Sequence, residues 1–501
     1  MAVPATGTTS STKHPSSELP QIVPSSTCTR CEVCCRFPDP DSPLRPYFMN
    51  HEIDAAVARG LDGRVFRALD GCQVHLVPDQ EADGFLCPAF DAATSYCKIY
   101  ESRPLDCQLY PLALMWNATR TEVVLGWDTK CPFLDEQVPE HIRSHAERTL
   151  ERLRQPELVD MLAAHPRMIG RFQADVRILT ALPHVTSAVM TRMGGQAIHP
   201  LTIEDVPRMA EALIRSGLIE SQSLAAYSVP YHYMCNTLLP YWWAEVGGAF
   251  YLFAHSPDGW FMPLPPLVSG EIREPLAQAF DLMERLNGAS VVSRVENIGA
   301  AAAMSLQPGG YRLVQKDPDY LYRAAELASL GGAGFKSQRT LCNRIERLGG
   351  VTVEPYEAAD RNGCRALYEQ WQEQKQKGLL DTFGRLLLED ARSAHEIIWA
   401  HAPALAVSGT VLRINGTIRA YTFGYWLTKK TWCVLLEVSD RTMAGLAQYL
   451  FRDTCRTALS HGAEFINTMD DAGLAGLRSS KQAYRPITGI QNFACYKAAA
   501  P

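Results

Sequence analysis

The chain has 501 residues, enough for roughly three domains, so a miniprotein held only by staples is excluded. Hydrophobic residues make up 47% and charged residues 20%, close to globular averages, and neither a disordered nor a fibrous chain is expected. Forty-eight Lys and Arg against 54 Asp and Glu leave a net charge of −6, which argues against a general polyanion-coating surface but permits a local basic groove.

Residues 1–27 carry Ser, Thr and Pro without an apolar core; they read as a disordered tail and not as a secretory signal. No later run approaches the roughly 18 apolar residues of a membrane span, since the richest, 238–255, contains Pro240 and Glu245. A cytoplasmic protein is expected. In that reducing compartment clustered thiols point to metal more than to disulfides.

Nine of the fifteen cysteines fall between residues 28 and 131, and the other six are scattered singly. Cys28, Cys31, Cys34 and Cys35 stand at spacings that let thiolates converge on one centre, and Cys87, Cys97, Cys107 and Cys131 follow. Eight thiols exceed one tetrahedral site. They suit two zinc ions, one iron–sulfur cluster with spare ligands, or a cluster plus a zinc, and an all-thiolate set leaves zinc and iron–sulfur both open. The adjacency of Cys34 and Cys35 leans toward iron–sulfur, because neighbours do not easily ligate one tetrahedral ion together. Cys72 has no partner at short spacing and is left out.

The run Cys28-x2-Cys31-x2-Cys34-Cys35, then Leu86-Cys87-Pro88, then Cys97-x-Ile99-Tyr100-x2-Arg103-Pro104-x2-Cys107 resembles the YkgJ-type cysteine-cluster family, described as zinc- or iron-chelating. Bacterial flagellin lysine methylases are similar to that family too, so the resemblance implies a metal module compatible with catalysis. Arg103 reads either as a donor to a cluster sulfur or carbonyl, or as a surface arginine before Pro104.

Residues 139–165 place Ile142, Leu150, Leu153, Leu158 and Met161 among charged residues, predicting one or two connecting helices. Thr202 with Asp205 predicts a capped helix ending near Gly217. Strands are predicted over 247–254 and 259–263 around the turn at 256–259, and helices over 274–287 and 361–376. Strands over 406–414 and 417–427 flank Asn415-Gly416, the dipeptide of a two-residue hairpin turn. A strand over 431–438, a helix over 443–459 and a short strand over 464–467 follow. This β-β-β-α-β order resembles the second half of the acetyltransferase-type (GNAT) fold, in which a donor sits where two central strands splay apart.

At helical spacing Lys336, Arg339, Asn343 and Arg347 form a basic stripe suited to phosphates, with Arg344 beside it. After the last short strand come Asn467, Asp470 and Asp471, then Arg478 and Lys481, which read as an anion site beside an acid/base pair or as a salt-bridged helix start. Asp319-Tyr320-x-Tyr322, the stripe, a strand ending near Glu437, and Asn467-x3-Asp471-x-Gly473-x3-Leu477-Arg478-x2-Lys481-x2-Tyr484-x-Pro486 occur in that order. Together they resemble the DUF2156 family, similar to the C-terminal domain of phosphatidylglycerol lysyltransferases, built as two tandem GNAT-like units. The resemblance implies transfer of an aminoacyl group from aminoacyl-tRNA to an amine or hydroxyl acceptor. It implies Glu437, Asp470 and Asp471 as candidate catalytic carboxylates. Lys336, Arg339, Asn343, Arg344, Asn467, Arg478 and Lys481 are the implied donor-binding residues.

Two departures shape the expectation. The loop Arg441-Thr442-Met443-Ala444-Gly445 lacks the first glycine of a CoA pyrophosphate loop, which disfavours CoA. The lysyltransferases set this domain after many spans, so a peptide, protein or small amine is the expected acceptor here. The expected architecture is α+β: a disordered tail (1–27), a small Cys-rich metal-binding domain (28–135), a helical connector (136–195), and tandem GNAT-like units (196–325 and 326–501). The alternatives are an iron–sulfur protein-modifying enzyme of the flagellin lysine methylase type and a non-catalytic metal-binding regulator.

Overall fold

The computed structural model describes residues 19, 22–24, 27, 31, 33–40, 42, 44–66, 71–80, 82–119, 121–136, 139–193, 198–237, 239–256, 258–287, 292–306, 310–376 and 382–498. Cys28 of the expected ligand set and most of the predicted tail lie outside the described residues. The chain folds as two compact units, one over Met1–Phe66 and Asp70–Gly195, the other chiefly over Gln196–Pro501.

The first unit runs as α1 (Asn50–Ala58), α2 (Leu105–Leu109), β1 (Leu112–Trp116), β2 (Val123–Asp128), α3 (Pro139–Leu153), α4 (Pro156–Ala164), β3 (Val176–Ala181) and α5 (Pro183–Arg192). Its antiparallel sheet has the order β3-β2-β1. A small apolar cluster of Phe37, Phe48, Val74, Leu86, Phe90 and Ile99 includes Cys87 and has Cys35 and Cys97 packed against it. The segment expected as a helical connector forms its two helices but then supplies β3, which pairs with β2 from Val176↔Asp128 to Ala181↔Val124. The helical period of 139–165 says nothing about the β-rich Val176-Arg-Ile-Leu-Thr run that follows, and it is this run that ties the segment into the first unit.

The second unit begins with α6 (Val206–Ser216), α7 (Val229–Met234), β4 (Tyr241–Val246), β5 (Ala249–Ser256), β6 (Gly259–Phe261), α8 (Arg273–Asn287), β7 (Val295–Gly299), α9 (Ala300–Leu306) and β8 (Tyr311–Gln315). It continues with β9 (Asp319–Arg323), α10 (Ala324–Ser329), α11 (Lys336–Glu346), β10 (Val351–Pro355), α12 (Arg361–Gln376), α13 (Thr382–His401), β11 (Ser408–Ile414), β12 (Thr417–Thr428) and β13 (Thr431–Ser439). It closes with α14 (Leu446–Ser460), β14 (Phe465–Asn467), α15 (Ala475–Gln482), β15 (Thr488–Ile490) and β16 (Asn492–Lys497). The fold is the mixed α+β, tandem GNAT-like arrangement expected from the sequence. The large sheet has the order β10-β11-β12-β13-β14-β9-β15, and a smaller one the order β7-β16-β8. The last strand therefore lies between β7 and β8, while β9 sits between β14 and β15 in the large sheet.

Local chemistry explains the elements that form as expected. The Asp205 carboxylate accepts from the Thr202 amide at 2.9 Å and its hydroxyl at 2.8 Å, starting α6, which ends at Gly217 with φ 68°. Asn415 and Gly416 have φ values of 51° and 79°, the left-handed pair that a type I′ turn requires. The strand expected over 247–254 forms as β5 and pairs with β4 as well as β6. Gly247 and Gly248, at φ 59° and 82°, turn the chain between β4 and β5.

Candidate functional site

The geometry that sets the site begins in β13. Its parallel pairing with β14 covers only Thr431↔Phe465, Trp432↔Ile466 and Cys433↔Asn467, after which β13 continues to Ser439 without that neighbour. On its other side the register with β12 jumps from Phe423↔Leu436 to Gly424↔Val434, leaving Leu435 as an extra residue. A bulge exchanges the faces that alternate residues point to. It turns Glu437 to the side of Val434, where Tyr484 and Cys455 lie. The Glu437 Oε2 is buried and has no hydrogen-bond partner among the described residues, and burial pushes the carboxyl up to about 8.

Residues 467–471, which follow β14, are held by a buried polar network. Asn467 Nδ2 donates to Ser223 O at 2.9 Å and to Asp319 Oδ2 at 3.0 Å, and its Oδ1 accepts from the Met469 amide at 2.6 Å. Asp319 also accepts from the Ala225 amide at 2.7 Å, and burial raises its pKa. Lys481 Nζ donates to Met469 O at 3.1 Å and to the carbonyls of Thr468 and Asp470. The Asp471 carboxylate takes Tyr320 OH at 2.6 Å and two bonds from Arg478, which hold it down at about 2. Asp470 is half-buried, and its Oδ1 accepts from the Ala472 amide at 2.9 Å.

Asn467, Asp470, Asp471, Arg478 and Lys481 thus converge, but as a fold-internal network. Arg478 and Lys481, expected as donor-binding cations, are engaged with Asp471 and with backbone carbonyls. Sequence reasoning gave no role to Asp319, Tyr320 or Tyr484. The signal was the Asp-Tyr-x-Tyr motif, whose aspartate and first tyrosine bind residues some 150 positions away in the chain.

The stripe on α11 is real as a surface: Lys336, Asn343, Arg344 and Arg347 are exposed, while Gln338, Cys342 and Ile345 are buried beneath. Arg339 instead turns back to Gly332 O at 2.6 Å and to Leu330 O. Gln338 Nε2 donates to Ala483 O at 3.1 Å, tying the helix to the end of α15 beside Tyr484. A Cβ on Gly445, whose φ is +99°, would meet Leu341 O at 2.4 Å. The loop before α14 therefore lies directly on α11, and only glycine fits there.

In the first unit Cys31, Cys34, Cys35, Cys87, Cys97, Cys107 and Cys131 all line one cavity of about 440 Å³, and Cys72 is not among its lining residues. All seven are free thiols, and Cys34 Sγ stands 4.0 Å from Cys35 Sγ. Burial and the neighbouring Asp106, Cys87, Cys34 and Cys97 raise the Cys107 thiol, so these sulfurs resist ionising together without a cation. The donor set fits a thiophilic metal. As placed, no three His, Cys, Asp or Glu side chains among the described residues stand at ligand spacing.

A family model described as phosphatidylglycerol lysyltransferase, C-terminal, matches residues 223–496. A second, CxxCxxCC, described as a zinc- or iron-chelating domain, matches residues 27–131. A search of curated proteins found no match. Among solved structures, the chain is similar to a protein of unknown function from Bacteroides thetaiotaomicron at 17% identity, TM-score 0.51, covering 60% of this chain and 99% of the other. It is also similar to the DUF2156 C-terminal domain of an Agrobacterium fabrum protein assigned as a lysylphosphatidylglycerol synthetase (17%, TM-score 0.42, 58% and 92%). The L-PGS of Bacillus licheniformis matches at 16% and TM-score 0.41, covering 59% and 93%. Among the described residues no helix is long and apolar enough to cross a membrane.

Proposed function

The chain belongs to the phosphatidylglycerol lysyltransferase C-terminal family, and from that premise we propose that its second unit moves an aminoacyl group from aminoacyl-tRNA to an amine or hydroxyl acceptor. The observation that carries this reading is Glu437, an enclosed carboxyl without a partner among the described residues, on the part of β13 that β14 has left. A carboxyl titrating at about 8 is matched to an alkylammonium, whose ordinary value is about 10, far better than an ordinary glutamate would be. A peptide, a protein or a small amine is therefore the acceptor class that suits it.

An aminoacyl ester is already activated, so the enzyme needs no nucleophile of its own. Glu437 takes a proton from the acceptor nitrogen or oxygen as that atom bonds to the aminoacyl carbonyl carbon. The ester C–O bond then breaks, and the ribose oxygen leaves with the proton that Glu437 returns. Lys336, Asn343 and Arg344 offer an exposed surface for tRNA phosphates. Asn467, Asp471, Arg478 and Lys481 act as positioning residues for the 467–471 loop, with Asp470 the carboxylate of that loop left most open to a ligand.

For the first unit we read Cys28, Cys31, Cys34, Cys35, Cys87, Cys97, Cys107 and Cys131 as the residues that would hold zinc or an iron–sulfur cluster. Zinc would supply a cross-link or a Lewis acid, and a cluster electron transfer.

The test uses purified chain, tRNA charged with labelled amino acids, and amine acceptors. Label should pass from tRNA to acceptor in the native chain, and Glu437→Gln should retain tRNA binding while losing transfer. No transfer with any charged tRNA, together with no tRNA binding in low salt, overturns the reading.

A further inference from the structure

We propose that the part of the thiol-lined cavity of the first unit that a metal would leave open is a binding site for a small organic anion with an apolar body. Size is the first argument. At about 440 Å³ the space is larger than a single thiolate-held zinc ion needs and lies in the range of small-molecule sites.

The walls give the apolar half. Leu112, Leu114, Phe133 and Met168 line the cavity from buried positions, while Val33 at 45% and Leu44 at 37% exposure also line it. Apolar side chains left half in water along a cavity are a feature of ligand sites more than of closed structural metal centres.

Charge gives the other half. Four cations and the three carboxylates of Asp106, Asp128 and Asp175 line the space. Lys130 is paired with Asp128 at 2.9 Å and Asp175 at 2.5 Å, Arg36 is paired with Asp79, and Arg103 stacks on the Tyr100 ring at 4.1 Å. Arg167 Nη1 is buried and has no hydrogen-bond partner among the described residues. A guanidinium cannot shed its charge, so a buried N–H of this kind calls for an acceptor. A carboxylate, sulfonate or phosphate on an apolar skeleton satisfies Arg167 and the walls at once.

The experiment uses the full chain, purified without oxygen and assayed for metal, with 8-anilinonaphthalene-1-sulfonate as the anionic probe and N-phenyl-1-naphthylamine as its neutral counterpart. We expect one saturable anionic site per chain, at least tenfold tighter than the neutral probe. Arg167→Met should weaken it about tenfold with metal content unchanged. Leu44→Glu, a change at an exposed position, should weaken it as well and decides the matter if Arg167→Met fails to fold. Absence of saturable binding, equal affinity for the two probes, or affinity unchanged by Leu44→Glu would overturn the proposal. None of these outcomes depends on aminoacyl transfer, so the two readings stand or fall separately.

Discussion

Arg478 grips both oxygens of Asp471, Nε to Oδ2 at 2.8 Å and Nη2 to Oδ1 at 3.0 Å, although Asp471 is fully buried and the arginine side chain is nearly half exposed. Such a two-pronged pair fixes geometry as well as charge. With Tyr320 OH as a third donor, Asp471 has no lone pair suitably placed to accept a substrate proton, and its pKa of about 2 makes it a poor base. Asp471→Asn should therefore lower the melting temperature by roughly 5 °C without moving the pH midpoint of activity. Because the folded pKa lies below the ordinary 3.8, the carboxylate's contribution is complete above about pH 4 and lost as pH falls toward 2. The melting difference from wild type should be flat from pH 5 to 8 and shrink only in stronger acid.

Glu437 behaves in the opposite sense. Burial holds its pKa at about 8 against an ordinary 4.5, so the fold favours the protonated form. That contribution is complete below about pH 4.5 and is lost as pH rises through 8. Glu437→Gln, uncharged throughout, should melt like wild type near pH 4.5 and above it at pH 9. As a base, Glu437 should make the wild-type rate climb with pH toward a plateau above 8. The Gln variant should lose roughly 10²–10⁴-fold and the climb with it. A rate that falls across the same range in wild type would make Glu437 an acid instead.

Much of the frame could be read from local sequence because local rules determine it. Asn415-Gly416 demands left-handed backbone and so announces the β11–β12 hairpin; Thr202 with Asp205 announces α6. The cysteines between residues 31 and 131 share one cavity, Cys72 excepted, as their clustering in sequence leads one to expect. What stayed hidden depends on contacts between distant residues. Glu437 faces Tyr484 only because one extra residue bulges at Leu435, and no periodicity in β13 reveals this. Arg478 and Lys481 look in sequence like a free basic patch; their partners Asp317, Tyr320 and the 468–470 carbonyls are supplied by the fold. The return of β16 to lie between β7 and β8 likewise leaves no local trace.

The two classes of cation in the second unit should separate in tRNA binding. Lys336 and Arg344 are exposed on α11, so alanine at either should weaken tRNA binding, lower the salt slope by about one per lost phosphate contact, and leave melting unchanged. Lys481 is enclosed and bonded to three carbonyls. Lys481→Met leaves those carbonyls without a donor and should lower the melting temperature while the salt slope stays as it was. Filter binding at two or more salt concentrations, with thermal melts of the same samples, checks both halves. A Lys481→Met slope reduced like that of Lys336→Ala would return Lys481 to the tRNA surface.

The thiols of the first unit allow an equally sharp comparison between two cysteines. Cys34 lines the shared cavity next to Cys35, whereas Cys72, buried in the short pairing of residues 47–48 with 72–73, is not among the residues that line it. Serine at position 34 removes a soft donor from the centre of the set, and a metal held by converging thiolates should lose most of its occupancy. Serine at position 72 exchanges one small buried group for another and should leave the metal-to-protein ratio unchanged at a modest cost in stability. Elemental analysis of both variants, purified without oxygen beside wild type, reads the difference directly. Because metal binding and folding of such a unit are linked, chelator treatment of wild type should lower the melting of this unit, and the Cys34→Ser variant should show the lower value before any chelator is added. Equal metal in the two variants would mean that Cys34 is not among the ligands, whatever the remaining thiols hold.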